Sequence, residues 1–385
     1  MVFGFNECRR GITHIMEKNI YEVMGLKRVV NACGRMTYLG VSTISDKVAS
    51  AAVAGAQNYV IIEDLMRRAG KLISSHTGGE DACPTSSASA AIAISVAALI
   101  TRGKKNLIER MPDSSGLPNE IILQKGHSVN YGAPITSMMR LGGGVPIEAG
   151  SANLVYPEEI EEAISEKTIA LFYCKSHHCV QKGMVSLEKM IEIAHNHNLP
   201  LLLDAAAEED FRKYISLGAD LVCYSGAKAL EATTSGFVTG RADLIENCRK
   251  QYEGIGRAMK VGKEQIVGLI AAMDQYDHKD HESLALANKK KVEDLNKELN
   301  KIPYCHATLM QDEAGRAIYR SKVTFDTECG MTAEQISEKL KNGNPSIHCR
   351  PNLLNIGVMM FDPRPMVEGD DDLIIQRLTE IMRGE

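Results

Sequence analysis

The sequence predicts an α/β fold: a large domain on a mostly parallel sheet, followed by a smaller C-terminal α+β domain. Three observations carry this expectation. Between about residues 119 and 240, short apolar runs alternate with helical stretches. Beyond about Gly262 the texture changes to a long polar helical region and then a mixed segment. The chain has 385 residues, more than the about 250–300 a single core supports.

Each element follows from its pattern. The runs "EIILQ" (120–124), "TIALFYC" (168–174), "LPLLLD" (199–204) and "ADLVCYS" (219–225) read as strands. Among them "SLEKMIEIAHNHN" (186–198) has helical spacing and opens on a serine. Strands separated by helices at this spacing imply βαβ units. "LGGGVP" (141–146) is a helix-to-strand turn without the GxGxxG spacing of a nucleotide loop. The expected division is an N-terminal segment (1–26), a large domain (27–261), a connecting helix (262–300) and a small domain (301–385). The small domain reads strand, strand, helix, strand, helix. Its last helix starts at "GDDDLIIQRLTEIM", where Asp370, Asp371 and Asp372 suit a helix N-terminus better than a metal site.

Composition narrows the function classes. The net charge of −5 gives no global basic field to attract nucleic acid. No apolar run approaches the roughly 20 residues of a membrane span, and "MVFGFNECRRGITHIM" lacks a secretory pattern, so a cytoplasmic protein is expected. The 10 cysteines never form a CxxC pair, which argues against a zinc ribbon or dithiol site. Adjacent ligands in "HHC" (177–179) are a poor zinc signature, so no metal is expected.

Three features carry chemistry. "CPTSSASAAIAISVAALI" sets Ser86, Ser87, Ala88 and Ser89 at the head of an Ala-rich helix, either as a phosphate cradle or as plain serine capping of a buried helix. "LPLLLDAAAEED" ends an apolar strand on Asp204, at the strand end where open α/β sheets bind ligands. A buried carboxylate there calls for a cationic partner, for which a protonated ring nitrogen would serve. "DLVCYSGAKALEATTSGF" delivers Lys228, with Ser225 three positions earlier, as either a solvated loop residue or a partly desolvated, reactive amine.

Phosphate cradle, ring-nitrogen carboxylate and Schiff-base lysine together meet the needs of pyridoxal 5'-phosphate. At these residues the chain resembles the fold-type-I pyridoxal-phosphate enzymes, within the group related to bacterial selenocysteine synthase (L-seryl-tRNA selenium transferase). The likeness extends through "LKRVVNACGRMTYLGVS", "EAGSANLVYPEEIEEAI", "YCKSHHC", "GRAMKVGKEQIVGL" and "NPSIHCR", and is closest to the group's shorter, ammonia-lyase members. The resemblance implies Lys228 as cofactor attachment and proton-transferring base, and Asp204 as partner of the ring nitrogen. It implies Ser225 and the 86–89 loop as phosphate holders, and His127 near the ring, where a plain hydrogen-bonded histidine is the alternative.

Arg350 is the first candidate for a substrate carboxylate, with Arg35, Arg257, Lys260 and Lys175 for a second anionic end; ordinary surface pairing is the alternative for each. His177 is a candidate for proton transfer. The implied reaction is α,β-elimination on a 2-amino-3-hydroxy sugar acid such as D-glucosaminate 6-phosphate, giving 2-keto-3-deoxy-6-phosphogluconate and ammonia. The rivals are selenium transfer on seryl-tRNA and a non-catalytic, cofactor-binding regulator. The resemblance also implies at least a homodimer; neither nucleic acid nor membrane is an expected partner. "GIGRAMKVGKEQ" fails as a P-loop because Arg257 and Glu264 stand where glycine and Ser/Thr are required.

Overall fold

The computed structural model describes residues 19–312 and 316–384; the run inspected above for a leader lies outside them. In chain order the strands are β1 Val29–Ala32, β2 Asp81–Thr85, β3 Glu120–Gln124, β4 Val145–Ala149, β5 Thr168–Cys174, β6 Leu201–Asp204, β7 Leu221–Ser225 and β8 Gly236–Gly240. After them come β9 Cys305–Gln311, β10 Tyr319–Phe325, β11 Ser346–Cys349 and β12 Val358–Phe361. The chain forms two compact units, one of residues 42–279 and one joining the described residues up to 41 with those from 280 on.

The larger unit holds a seven-stranded sheet in the order β2-β8-β7-β6-β5-β3-β4. Pairing is parallel from β7 to β4, and β8 runs antiparallel to both β7 and β2. The parallel strands and β2 therefore all end at one edge of the sheet. Because successive side chains point to opposite faces, each strand feeds two cores. Leu123, Phe172, Leu202, Cys223 and Val238 pack beneath the helix Ala88–Thr101. Ile122, Leu171, Leu203, Val222 and Phe237 pack on the other face with Met190 and Ile193 of the helix Leu187–Asn196 and Leu269 of the helix Lys263–Asp277. Fully burying a side chain such as Phe172 or Leu202 is worth about 1.5–3 kcal/mol. That explains why these strands read as unbroken apolar runs: both faces are covered.

The smaller unit pairs β1 in parallel with β11 and forms an antiparallel sheet in the order β12-β10-β9. Val30, Leu299, Val323, Ile336, Phe361 and Leu378 build its core. The helix Asp370–Arg383 starts after Gly369, which offers no side-chain cap. Its acidic first turn complements the helix dipole, while the Asp370 carboxylate accepts the Val367 N–H at 3.0 Å and pairs with Arg28 at 3.4 Å.

Two expected boundaries differ. β1, assigned by sequence to the large domain, belongs to the smaller unit because its partner β11 lies far along the chain, in the register Val29↔Ser346. The expected connecting helix 262–300 is instead two helices, Lys263–Asp277 in the larger unit and His281–Leu299 in the smaller. Asp280 starts the second by accepting the Ser283 N–H at 3.0 Å, an N-cap that competes with helix continuation. No described helix is long and apolar enough to cross a membrane.

Candidate active site

The shared strand edge carries Asp204, Ser225 and the strand that leads into the helix Ala88–Thr101. Cys174, at the end of β5, lies in register with Asp204 at the end of β6, and Asp204 lies in register with Cys223 of β7. Thr85 of β2 and Ser225 of β7 both stand opposite Gly236 of β8, so the helix head and Ser225 flank the same strand start.

Asp204 is only 7% exposed. Its Oδ1 accepts the Ala206 N–H at 3.0 Å, and its Oδ2 accepts the Cys174 thiol at 3.7 Å. Burial pushes its carboxyl above the usual range, while the Lys228 charge, the Ala206 amide and the Cys174 thiol oppose the rise. No hydrogen-bonded cation accompanies this carboxylate among the described residues. A buried carboxylate so placed fits a cationic ring nitrogen.

Lys228 is half-buried on the turn after β7. The turn is fixed by its backbone: Gly226 N–H donates to Ser235 O at 2.9 Å, Ala232 N–H to Gly226 O at 3.0 Å, and the Ser42 hydroxyl to Ala227 O at 2.7 Å. Lys228 is therefore carried on a hydrogen-bonded turn.

At the helix head, Ser87 caps by accepting the Ala90 N–H at 3.0 Å. The cap uses one of the orphan amides, leaving those of Ala88 and Ser89 at the positive end of the helix, where an anion could be met. The Ser86 hydroxyl donates to Met259 O at 3.0 Å, and Ser89 and Tyr131 share a hydroxyl bond of 3.1 Å. Gly236 lies against this head, where an added Cβ would come within 2.5 Å of the Ser87 carbonyl carbon. Gly236→Ala is therefore expected to push the helix head aside, costing about 1–3 kcal/mol. A lowered Tm together with weakened anion binding at the head is the expected readout.

His127 ends a short 3-10 turn after β3 and is 2% exposed. Its Nδ1 accepts the Cys174 N–H at 3.4 Å, and its ring meets Tyr173 edge-on at 4.5 Å. Burial, with Lys175 nearby, draws its pKa down to about 4, so the ring is neutral at ordinary pH. With Lys175, Glu188 and Lys213 it lines a cavity of about 300 Å³. His177 is exposed, its ring lies tilted against that of His178 with centroids 4.0 Å apart, and it does not line this cavity. Arg257 and Lys260, both exposed, line a separate cleft of about 670 Å³ with Arg67, Arg249 and Glu246.

Arg35 and Arg350 belong to the smaller unit and are half-buried. Arg350 donates through Nη1 to Cys33 O at 3.2 Å, and its Nε is buried without an acceptor. Burial lowers its pKa, joined by the like charges of Arg320 and Arg364, against the pull of Asp362. Asp362 is itself saturated by Arg320 at 3.0 Å and Arg364 at 2.8 Å. A guanidinium in that state is suited to an incoming carboxylate. Sequence reasoning missed Cys174, Gly236, Ser42 and Asp362. No described group of three or more His, Cys, Asp or Glu side chains is arranged to hold a metal.

Comparison with known proteins extends the picture. Residues 29–324 match the family model described as "L-seryl-tRNA selenium transferase". The chain is 47% identical to the D-glucosaminate-6-phosphate ammonia lyase of Salmonella typhimurium, over 95% of this chain and 98% of that one. It is 40% identical to a 5'-C-glycyluridine monooxygenase-decarboxylase from a Streptomyces species, over 97% and 94% of the two chains. A solved structure of D-glucosaminate-6-phosphate ammonia-lyase superposes with a TM-score of 0.90 at 46% identity, covering 95% of this chain and 99% of that chain.

Proposed function

Because the chain belongs to the L-seryl-tRNA selenium transferase family and has the α/β architecture of fold-type-I pyridoxal-phosphate enzymes, we propose that it is a pyridoxal-phosphate-dependent ammonia-lyase. Its substrate is a 2-amino-3-hydroxy sugar acid, D-glucosaminate 6-phosphate, in keeping with the 47% identical relative. The observation that carries this reading is the buried Asp204 carboxylate, without a bonded cation among the described residues, within reach of the Lys228 charge.

Asp204 would bind the ring nitrogen of the cofactor; the Ala88 and Ser89 amides, with Ser86, Ser87, Ser89 and Ser225, would hold its phosphate; neutral His127 would lie near its ring. Bound pyridoxal phosphate supplies an electron sink for the pair left when the substrate Cα loses its proton. Lys228 Nζ would be the attachment point in the resting enzyme and, once freed by the incoming substrate amine, the base that takes that proton. The 3-hydroxyl then leaves as water, with His177 put forward as its acid, and hydrolysis of the dehydrated product yields the 2-keto acid and ammonia. Arg350 takes the substrate carboxylate, and Arg35, Lys175, Arg257 and Lys260 are put forward for its phosphate end. We place the protein in the cytoplasm as a homodimer or higher homo-oligomer.

Arg350→Met is expected to raise KM by tenfold or more, roughly the loss of a charge-assisted hydrogen-bond pair, with a smaller change in kcat. The choice of substrate class is tested by titrating the cofactor-loaded protein and following its visible absorbance. Saturable change with D-glucosaminate 6-phosphate and none with seryl-tRNA supports the lyase; the reverse, with salt-sensitive tRNA binding, supports selenium transfer.

A further inference from the structure

Asp204 has a cysteine opposite it on both neighbouring strands, and the two behave differently. The register Cys174↔Asp204↔Cys223 puts three side chains in a row on one face of the sheet. The Cys223 sulfur turns to the Ser95 hydroxyl at 3.9 Å, which in turn receives Cys248 at 3.9 Å. The Cys174 thiol instead donates to Asp204 Oδ2 at 3.7 Å. The other polar groups of Cys174 are engaged as well: its amide donates to His127 Nδ1 at 3.4 Å, and its carbonyl accepts the Cys179 thiol at 3.3 Å. An Nδ1 that accepts leaves the proton of the neutral ring on Nε2.

We propose that Cys174 is a positioning residue: its thiol fixes the Asp204 carboxylate while its amide fixes the His127 ring, so that one residue sets both groups that flank the cofactor. This rests on the pyridoxal-phosphate reading above. The amide contact does not depend on the side chain of any residue other than proline at 174, whereas the thiol contact is lost with alanine, which isolates the thiol for experiment. Cys179 ties the following loop back to the same residue, so the end of β5 is held from both sides. The thiol also works in the direction the reaction needs, because it favours the ionised form of a carboxylate that burial disfavours.

The test compares Cys174→Ala, Cys174→Ser and Cys223→Ala in the cofactor-loaded enzyme. Cys174→Ala is expected to weaken cofactor binding and lower kcat roughly tenfold, the scale of one hydrogen bond to a charged group. Its activity profile should shift its acid limb upward by about one pH unit, since Asp204 then protonates more readily. KM should change little. Cys174→Ser keeps a donor and should recover most of the cofactor affinity and the acid limb. Cys223→Ala, a truncation of equal size at the same register, should leave the acid limb in place. Should Cys174→Ala not fold, Cys174→Val, close to cysteine in volume and without a donor, takes its place.

Wild-type cofactor affinity and acid limb in the donor-free variant would overturn the proposal, as would an equal shift in Cys223→Ala or failure of serine to restore either property. A wild-type protein with no cofactor absorbance would overturn the parent reading and this proposal with it. The two failures are distinguishable because the first leaves the wild-type spectrum intact.

Discussion

Lys228→Ala is expected to reduce turnover by roughly 10³-fold or more and to remove the visible absorbance of the covalently attached cofactor. On the proposed roles two functions are lost together, attachment and proton removal, so the effect should exceed that of deleting a base alone. The fold should survive. The turn that carries Lys228 is held by the bonds of Gly226 to Ser235, Ala232 to Gly226, and Ser42 to Ala227, none of which uses the lysine side chain. Removing Lys228 does withdraw the charge that opposes the rise in the Asp204 pKa, so that pKa is expected to rise further. Circular dichroism and a thermal melt separate this outcome from unfolding.

Asp204→Asn should have the second largest effect, about 10²–10³-fold in kcat, the scale seen when one preorganised electrostatic group is removed. Asparagine keeps an acceptor for the Ala206 amide but cannot hold a proton on the ring nitrogen. Stability should move the other way. A carboxyl whose folded pKa is raised stabilises the fold in its protonated form; that contribution is complete below its unfolded pKa and is lost as pH rises through the folded value. Asparagine carries no charge at any pH and so escapes the burial cost that raises the Asp204 pKa. A Tm equal to or above wild type, with turnover sharply reduced, would mark Asp204 as a residue retained for chemistry against the interest of stability. Equal loss of both would mark it as structural.

Much of the larger unit was legible because its strands are buried on both faces. "EIILQ" and "TIALFYC" match β3 and β5 residue for residue. "LPLLLD" begins as a strand only at Leu201, since Pro200 has no N–H for the ladder. The order of Ser87, Asp204 and Lys228 in the chain was readable, as was the place of Asp204 at the C-terminal end of a parallel strand, where open α/β sheets bind ligands. What could not be read was register. Nothing local in "RVVNACG" says that Val29 pairs with Ser346, and nothing in "YCKSHHC" says that Cys174 stands opposite Asp204. The break between the helices ending at Asp277 and starting at His281 did leave a signal, an Asp280 cap with Ser283 in range, but within a long polar helical pattern the periodicity outweighed it. Arg350 was found from its motif, whereas its buried, acceptor-free Nε and the Arg320–Asp362–Arg364 cluster beside it depend on tertiary packing.

The most direct measurement is the release of 2-keto acid and ammonia by the purified, pyridoxal-phosphate-loaded protein given D-glucosaminate 6-phosphate. Catalytic release of the two products in equal amounts, absent in Lys228→Ala, is the predicted result. A loaded protein that shows the cofactor band yet releases neither product from this substrate would contradict the ammonia-lyase assignment.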